Sequence, residues 1–178
     1  MTEHKKLQMK SAAEYRWIIY SAGVAFFLLI IDQLTKLIVE QRMFLGESIP
    51  VIKGFFSLTY VTNKGAAWGM FHGYGTALFV IGVLVIIATI FFLRKLCEGY
   101  RERYVAILTV LSGVVGNSID RIWRGEVVDF LDCYVRSYHW PAFNIADCAI
   151  CIGIGVYMIS VLLRPVPEKS TGKTENAD

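Results

Sequence analysis

Residues 76–93 read Thr-Ala-Leu-Phe-Val-Ile-Gly-Val-Leu-Val-Ile-Ile-Ala-Thr-Ile-Phe-Phe-Leu, without one charged side chain, and Arg94-Lys95 closes the run. A helix needs roughly 17–25 such residues to cross the hydrocarbon of a bilayer. Helix is the natural solution for an unbroken apolar run there, because in lipid every backbone N–H and C=O must be satisfied within the segment. Working outward, three more blocks have the same character, at about Trp17 to Val39, Tyr104 to Arg121 and Asn144 to Leu163. With 55% hydrophobic and 19% charged residues in 178, the chain is more apolar than a soluble domain. The pattern predicts an all-α membrane protein of four transmembrane helices, with one domain over residues 17–163.

The first block continues through Ile30, Ile31 and Leu34 to Val39, which reads as a retained helix and not as the short core of a cleaved leader. Residues 1–16 read as a polar, lysine-bearing tail. Residues 164–178, with Pro165, Pro167 and Glu168, have little to bury and read as a disordered one. Basic residues resist translocation, and they gather before the first helix (Lys5, Lys6, Lys10, Arg16), between the second and third (Arg94, Lys95, Arg101, Arg103) and after the fourth (Arg164, Lys169, Lys173). Those segments, and so both termini, are expected in the cytoplasm, and the connections at about 40–75 and 122–143 outside it. The net charge of +3 then serves insertion, and no soluble basic surface remains to bind nucleic acid.

In the first outside connection Phe56, Leu58 and Tyr60 alternate with Ser57, Thr59 and Val61, the period of a half-buried strand. A small β-containing cap at about 40–75 follows, with Gly46, Pro50 and Gly54 as its turns. Trp68, Phe71, Tyr74, Trp123 and Trp140 suit an aromatic belt at the membrane surface. Cys148 and Cys151 form a C-x-x-C inside an apolar helix, with no second pair or nearby histidine to complete a metal site, so they read as packing residues.

Ionisable groups at bilayer depth are costly and point to function. Asp32 and Lys36 stand four apart in the order that favours an ion pair, and simple mutual neutralisation is the plainer alternative to a functional role for them. Asn117, Asp120 and Arg121 share one face of the third helix and read as a supporting hydrogen-bond cluster, with Arg121 able to reach headgroups. Asp129 and Asp147 are different. The first is expected on a bend where the third helix ends, the second at the start of the fourth helix, behind Asn144 at the spacing of a capping pair. Should those helix ends pack together, the two carboxylates share one site and cannot both ionise cheaply, so they hold one proton between them. One can then activate water while the other protonates a carbonyl oxygen, with no metal or cofactor.

Five ordered blocks, Asp32-Gln-Leu-Thr-Lys36, Asn63-Lys-Gly-Ala-Ala-Trp68, Gly116-Asn117-Ser-Ile-Asp120-Arg121, Val127-Val-Asp129-Phe130 and Phe143-Asn144-Ile-Ala-Asp147, resemble the lipoprotein signal peptidase (signal peptidase II) family. The resemblance implies an aspartic endopeptidase of the bacterial cytoplasmic membrane. Such an enzyme cleaves diacylglyceryl-modified prolipoproteins on the amino side of the lipidated cysteine, at the extracytoplasmic face, and is sensitive to globomycin. It implies Asp129 and Asp147 as the catalytic pair, and Asp32, Lys36, Asn63, Asn117, Asp120, Arg121 and Asn144 as supporting positions. Lipidated prolipoproteins and membrane lipid are the expected partners, and a monomer the expected state. The stretch Leu131 to Trp140 lies outside the blocks. It permits a rival reading with Cys133 as nucleophile and His139 as base. A second rival, a small proton-coupled transporter or channel subunit, would need a relay through the membrane, whereas the carboxylates gather at one side.

Overall fold

The computed structural model describes residues 3–65 and 73–164, with the backbone alone for 3–13. The order is α1 (Glu3–Arg42), β1 (Ser48–Ile52), β2 (Phe56–Asn63), α2 (Gly75–Cys97), α3 (Arg101–Trp123), β3 (Val127–Val135), β4 (Tyr138–His139) and α4 (Ile145–Leu163). All four helices are long and apolar enough to cross a membrane, the first over Glu14–Arg42. Residues 3–16, expected as a tail, continue α1 as helix. They contain Ala, Leu, Lys, Glu, Gln and Met and neither Gly nor Pro, so nothing breaks the helix before the membrane. The C-terminal tail, Trp68 and Phe71 lie outside the described residues.

Helix α3 is the axis of the bundle, packing against α4, α1 and α2. It buries a dozen residues, whereas α2 buries only Gly82 and Cys97 and shows lipid most of its surface. Close approach of α3 and α4 depends on Gly113, where an added Cβ would lie 2.3 Å from the carbonyl oxygen of Ala146. Small residues that let backbones meet are how helices pack in lipid, where no hydrophobic driving force pulls them together. One turn on, a Cβ at Gly116 would lie 2.6 Å from Oδ2 of Asp32, so that glycine admits a carboxylate from α1.

The four strands form one antiparallel sheet in the order β1-β2-β3-β4 across one end of the bundle. Leu58 and Tyr60 of β2 pack with Val39 of α1 and with Val128 and Phe130 of β3, so the sheet is seated on the helix ends by an apolar cluster. The cap therefore draws on both connections and not on 40–75 alone. Asp129 accordingly lies on a strand, paired opposite Val61, and not on a bend. The run Val-Val-Asp-Phe-Leu-Asp-Cys-Tyr-Val is rich in the β-branched and aromatic residues that suit a pleated surface, and β2 offers it an edge. Pro50 sits within β1, not in a turn, on the outer strand where a missing N–H costs least and where the register slips.

At the opposite end of the bundle Cys97, Tyr104 and Ile107 form a second apolar cluster with Trp17, Ile18, Leu93 and Tyr157. Arg103, placed by the sequence among the basic residues between the second and third helices, is only 2% exposed. It ion-pairs with Glu98 and donates to Oγ of Ser160 at 3.1 Å.

Candidate functional site

Where the sheet meets the bundle, polar side chains from α1, α3, β2, β3 and α4 converge. Its base is Lys36, fully buried, whose Nζ lies 2.9 Å from Oδ2 of Asp32, 2.8 Å from Oδ2 of Asp120 and 3.0 Å from Oδ1 of Asn117. The expected Asp32–Lys36 pair forms, then, and Asp120 joins it. Arg124 answers the second carboxylate, placing Nη1 2.9 Å from Oδ1 of Asp120 while clasping Glu40 at 2.8 and 2.7 Å. Oδ1 of Asp32 accepts the backbone N–H of Ala146 at 2.9 Å, which fixes the first turn of α4 against α1.

Asn117 carries this order upward. Its oxygen faces the Lys36 ammonium, so its amide nitrogen points the other way and donates to Oδ1 of Asp147 at 2.8 Å. Asn144, fully buried, caps α4: its Oδ1 accepts from the backbone N–H of Asp147 at 3.0 Å, and its own N–H donates to Oδ2 of Asp147 at 3.2 Å. This is the reciprocal capping box that the spacing predicted. The Asn144 side-chain nitrogen reaches Oδ1 of Asp129 at 2.7 Å, and Nδ2 of Asn63 donates to the other oxygen at 3.2 Å. One residue thus touches both carboxylates.

Among the described residues neither Asp129 nor Asp147 forms an ion pair. Both face a cavity of about 470 Å³, also lined by Asn63, Asn117, Arg121, Val127 and the segment Trp140 to Phe143. Asp129 is 3% exposed. Burial, then the neighbouring Asp147 carboxylate, push its pKa up to about 7, against the pull of the Asn63 and Asn144 hydrogen bonds. Asp129 therefore changes its protonation state near neutral pH, and two carboxyls so close share one proton more readily than both ionise.

All nine sequence-derived site residues therefore meet in one network. Arg121 does not reach away to the membrane surface; it donates to the carbonyl oxygens of Asn117 and Gly65, both at 3.1 Å, and borders the cavity. Cys148 and Cys151 also border it instead of packing the bundle, and all four cysteines are free. Among the described residues no hydrogen bond joins Cys133 to His139, the pair of the rival reading; the Nδ1 of His139 faces Asp132. Gln33, whose side-chain nitrogen donates to Asp32 and Asp120, each at 3.1 Å, escaped the sequence reading as a contact, as did Glu40 and Arg124. Glu40 and Arg124 stand one turn beyond Lys36 and Asp120, and that i,i+4 spacing was the signal available.

Four spans, a sheet seated on one end and a carboxylate pair beside a cavity define a class, the membrane-embedded protein equipped for aspartic peptidase chemistry. A family model described as signal peptidase (SPase) II matches residues 24–163. The lipoprotein signal peptidase of Geobacter metallireducens is 44% identical over 137 residues, covering 75% of this chain and 85% of that protein. That of Halalkalibacterium halodurans is 38% identical over 154 residues, covering 86% and 97%. A solved structure described as a bacterial membrane enzyme superposes with a TM-score of 0.76 at 37% identity, covering 89% of this chain and 94% of the other. The chain belongs to the signal peptidase II family, hydrolases of the aspartic peptidase type.

Proposed function

We propose that Asp129 and Asp147 are the catalytic pair with which this chain removes the signal peptide from diacylglyceryl-modified prolipoproteins. The reading rests on one observation: a buried Asp129 and a half-buried Asp147, free of ion pairs among the described residues and joined through Asn144, face a cavity where the helices meet the sheet. In the resting pair Asp147 carries the charge, since the N-terminus of α4 favours an anion, and Asp129 holds the proton. With substrate bound, the carboxylate takes a proton from water as its oxygen attacks the scissile carbonyl, and the other carboxyl donates its proton to the developing oxyanion. The proton taken from water then passes to the leaving amine. Asn63, Asn117 and Asn144 hold the carboxyl oxygens in place; Asp32, Lys36, Asp120 and Arg121 hold those amides and the helix ends.

Cleavage on the amino side of the lipidated cysteine requires the site at the membrane surface where that lipid anchors. We place it at the extracytoplasmic face of the bacterial cytoplasmic membrane, with both termini inside, as the basic residues direct. One chain supplies every group of the site, so a monomer suffices. The peptidase domain is 17–163, and globomycin-type cyclic peptides are expected to block the same cavity. A proton-coupled transporter fits less well, because the ionisable network stops at one end of the bundle.

The test is cleavage of a purified lipidated prolipoprotein in detergent. Wild type should release the signal peptide, and Asp129→Asn and Asp147→Asn should each lose at least about 10²–10⁴-fold in kcat while remaining folded. An Asp147→Asn enzyme with much of its activity would reduce Asp147 to a helix cap, a role Asn fills as well.

A further inference from the structure

The hairpin of β3 and β4 carries a polar pair outside the network described above. Nδ1 of His139 lies 2.9 and 3.0 Å from the two oxygens of Asp132, and its ring stacks on Tyr134 at 4.8 Å between centroids. Asp132 is 7% exposed. Among the described residues its one other side-chain donor is the Thr59 hydroxyl at 3.2 Å, itself 2.8 Å from the Ser48 hydroxyl. A single polar thread therefore crosses all four strands. An ionised carboxylate only accepts hydrogen bonds, so Nδ1 carries the hydrogen. Without it Asp132 would be left with one hydroxyl, and a buried carboxylate that poorly served is costly.

What the pair anchors is adjacent in sequence. Trp140 to Phe143 leaves the sheet one residue after His139 and forms one wall of the cavity. At its far end Phe143 returns to β3 by three main-chain bonds, accepting from Phe130 and Leu131 at 3.0 and 2.8 Å and donating to Leu131 at 3.1 Å. Asn144 follows directly, so those bonds also secure the residue that touches both carboxylates. The near end is tied to β3 by a main-chain bond from Trp140 to Cys133 at 2.8 Å, by the two-residue strand β4 and by the side-chain pair. The Phe143 bonds to β3, and with them the position of Asn144 beside the carboxylates, do not depend on the near end.

We infer that Asp132 and His139 are positioning residues that set the shape of the cavity wall against which the peptide lies, and so act on substrate binding and not on the chemical step. The inference rests on reading the cavity as the peptidase site. The experiment is steady-state cleavage of lipidated prolipoprotein by purified wild type, His139→Ala, His139→Asn, Asp132→Ala and Asp132→Asn, each with a thermal melt. His139→Ala should raise KM on the order of tenfold, the loss of one charge-assisted hydrogen bond. Its kcat should stay within about twofold of wild type. His139→Asn, which can present an N–H near the Nδ1 position, should recover most of the KM. Should His139→Ala fail to fold, the Asp132 pair carries the same test: Asp132→Asn keeps an acceptor and should stay near wild type, and Asp132→Ala should show the raised KM. An unchanged KM in both alanine variants, a fall in kcat at constant KM, or no rescue by Asn overturns the inference. A wild type that leaves prolipoprotein uncut would instead fail the peptidase reading itself.

Discussion

Both ends of the bundle bury a cation, and they use it differently. At the site end Lys36 is enclosed by Asp32 and Asp120. At the opposite end Arg103 meets Glu98 and Ser160, with Tyr100 and Tyr157 rings 4.5 and 6.0 Å from its guanidinium. Each cation has its counter-charge, and in that respect the two ends are alike. The difference lies in the carboxylates that remain. Asp129 and Asp147 are held by the amides of Asn63, Asn117 and Asn144, and they look onto open space. An ion pair holds a carboxylate in its charged form; neutral amide donors favour that form only weakly, so they fix the carboxylate's position and still let it take up a proton. Buried charge alone marks structure; amide-held carboxylates beside a cavity mark chemistry.

The comparison breaks most visibly at Lys36. Lys36→Met leaves Asp32 and Asp120 buried without their ammonium, a loss of about 3–5 kcal/mol. Little folded protein should survive thermal melting or size exclusion in detergent, and a wild-type melt would show that the trio is not structural. Next in size is Asn144→Ala, which removes the one residue shared by both carboxylates and should lower kcat on the order of 10²-fold, measured by prolipoprotein cleavage. A change in KM alone would make Asn144 a binding residue. Arg103→Met should cost less, about 1–2 kcal/mol, because the Glu98 it leaves behind is 29% exposed and can hydrate. The folded Arg103→Met enzyme should keep its kcat, and a fall would tie the opposite end to the site.

How much of this was legible in the sequence follows from the kind of interaction involved. Hydropathy is local, so the four spans could be read directly, with ends misplaced only where neutral or charged helix formers extend them, as over residues 3–16. Asp32 with Lys36, and Asn144 with Asp147, lie within one helical turn of each other, and spacing alone predicted both contacts. Asp129 was misplaced on a bend because its strand exists only through pairing with β2, more than sixty residues earlier. Pairing of that range leaves no periodic trace. Arg103 resembled its exposed neighbours for a related reason: the partners that bury it come from another helix and from the loop before its own. The link between Asp129 and Asp147 through one asparagine is likewise tertiary: the sequence joined them only on condition that the helix ends pack together, and the resemblance named them as a pair.

Stability should also depend on pH. Asp129 holds its proton up to about 7 in the folded protein but releases it near 3.8 when unfolded. Between those values the folded state binds the extra proton, so stability is highest below the lower one, falls as pH rises towards about 7 and is flat beyond. Asp129→Asn removes the slope, and its melting temperature should gain on wild type as pH is raised from about 5 to about 8. A constant difference over that range would mean that Asp129 is already ionised throughout.

The central claim is that the pair holds one proton, and that Asp129 holds it. Infrared spectroscopy of the purified protein at about pH 6, about one unit below the value at which Asp129 releases its proton, reads this directly through the carbonyl stretch of a protonated carboxyl. We expect a band that Asp129→Asn abolishes, that Asp32→Asn leaves in place, and that bleaches in wild type as pH rises through about 7. Assignment within a coupled pair is made by comparing these variants with one another. A band that survives Asp129→Asn, or a wild type with no protonated carboxyl at that pH, would contradict it.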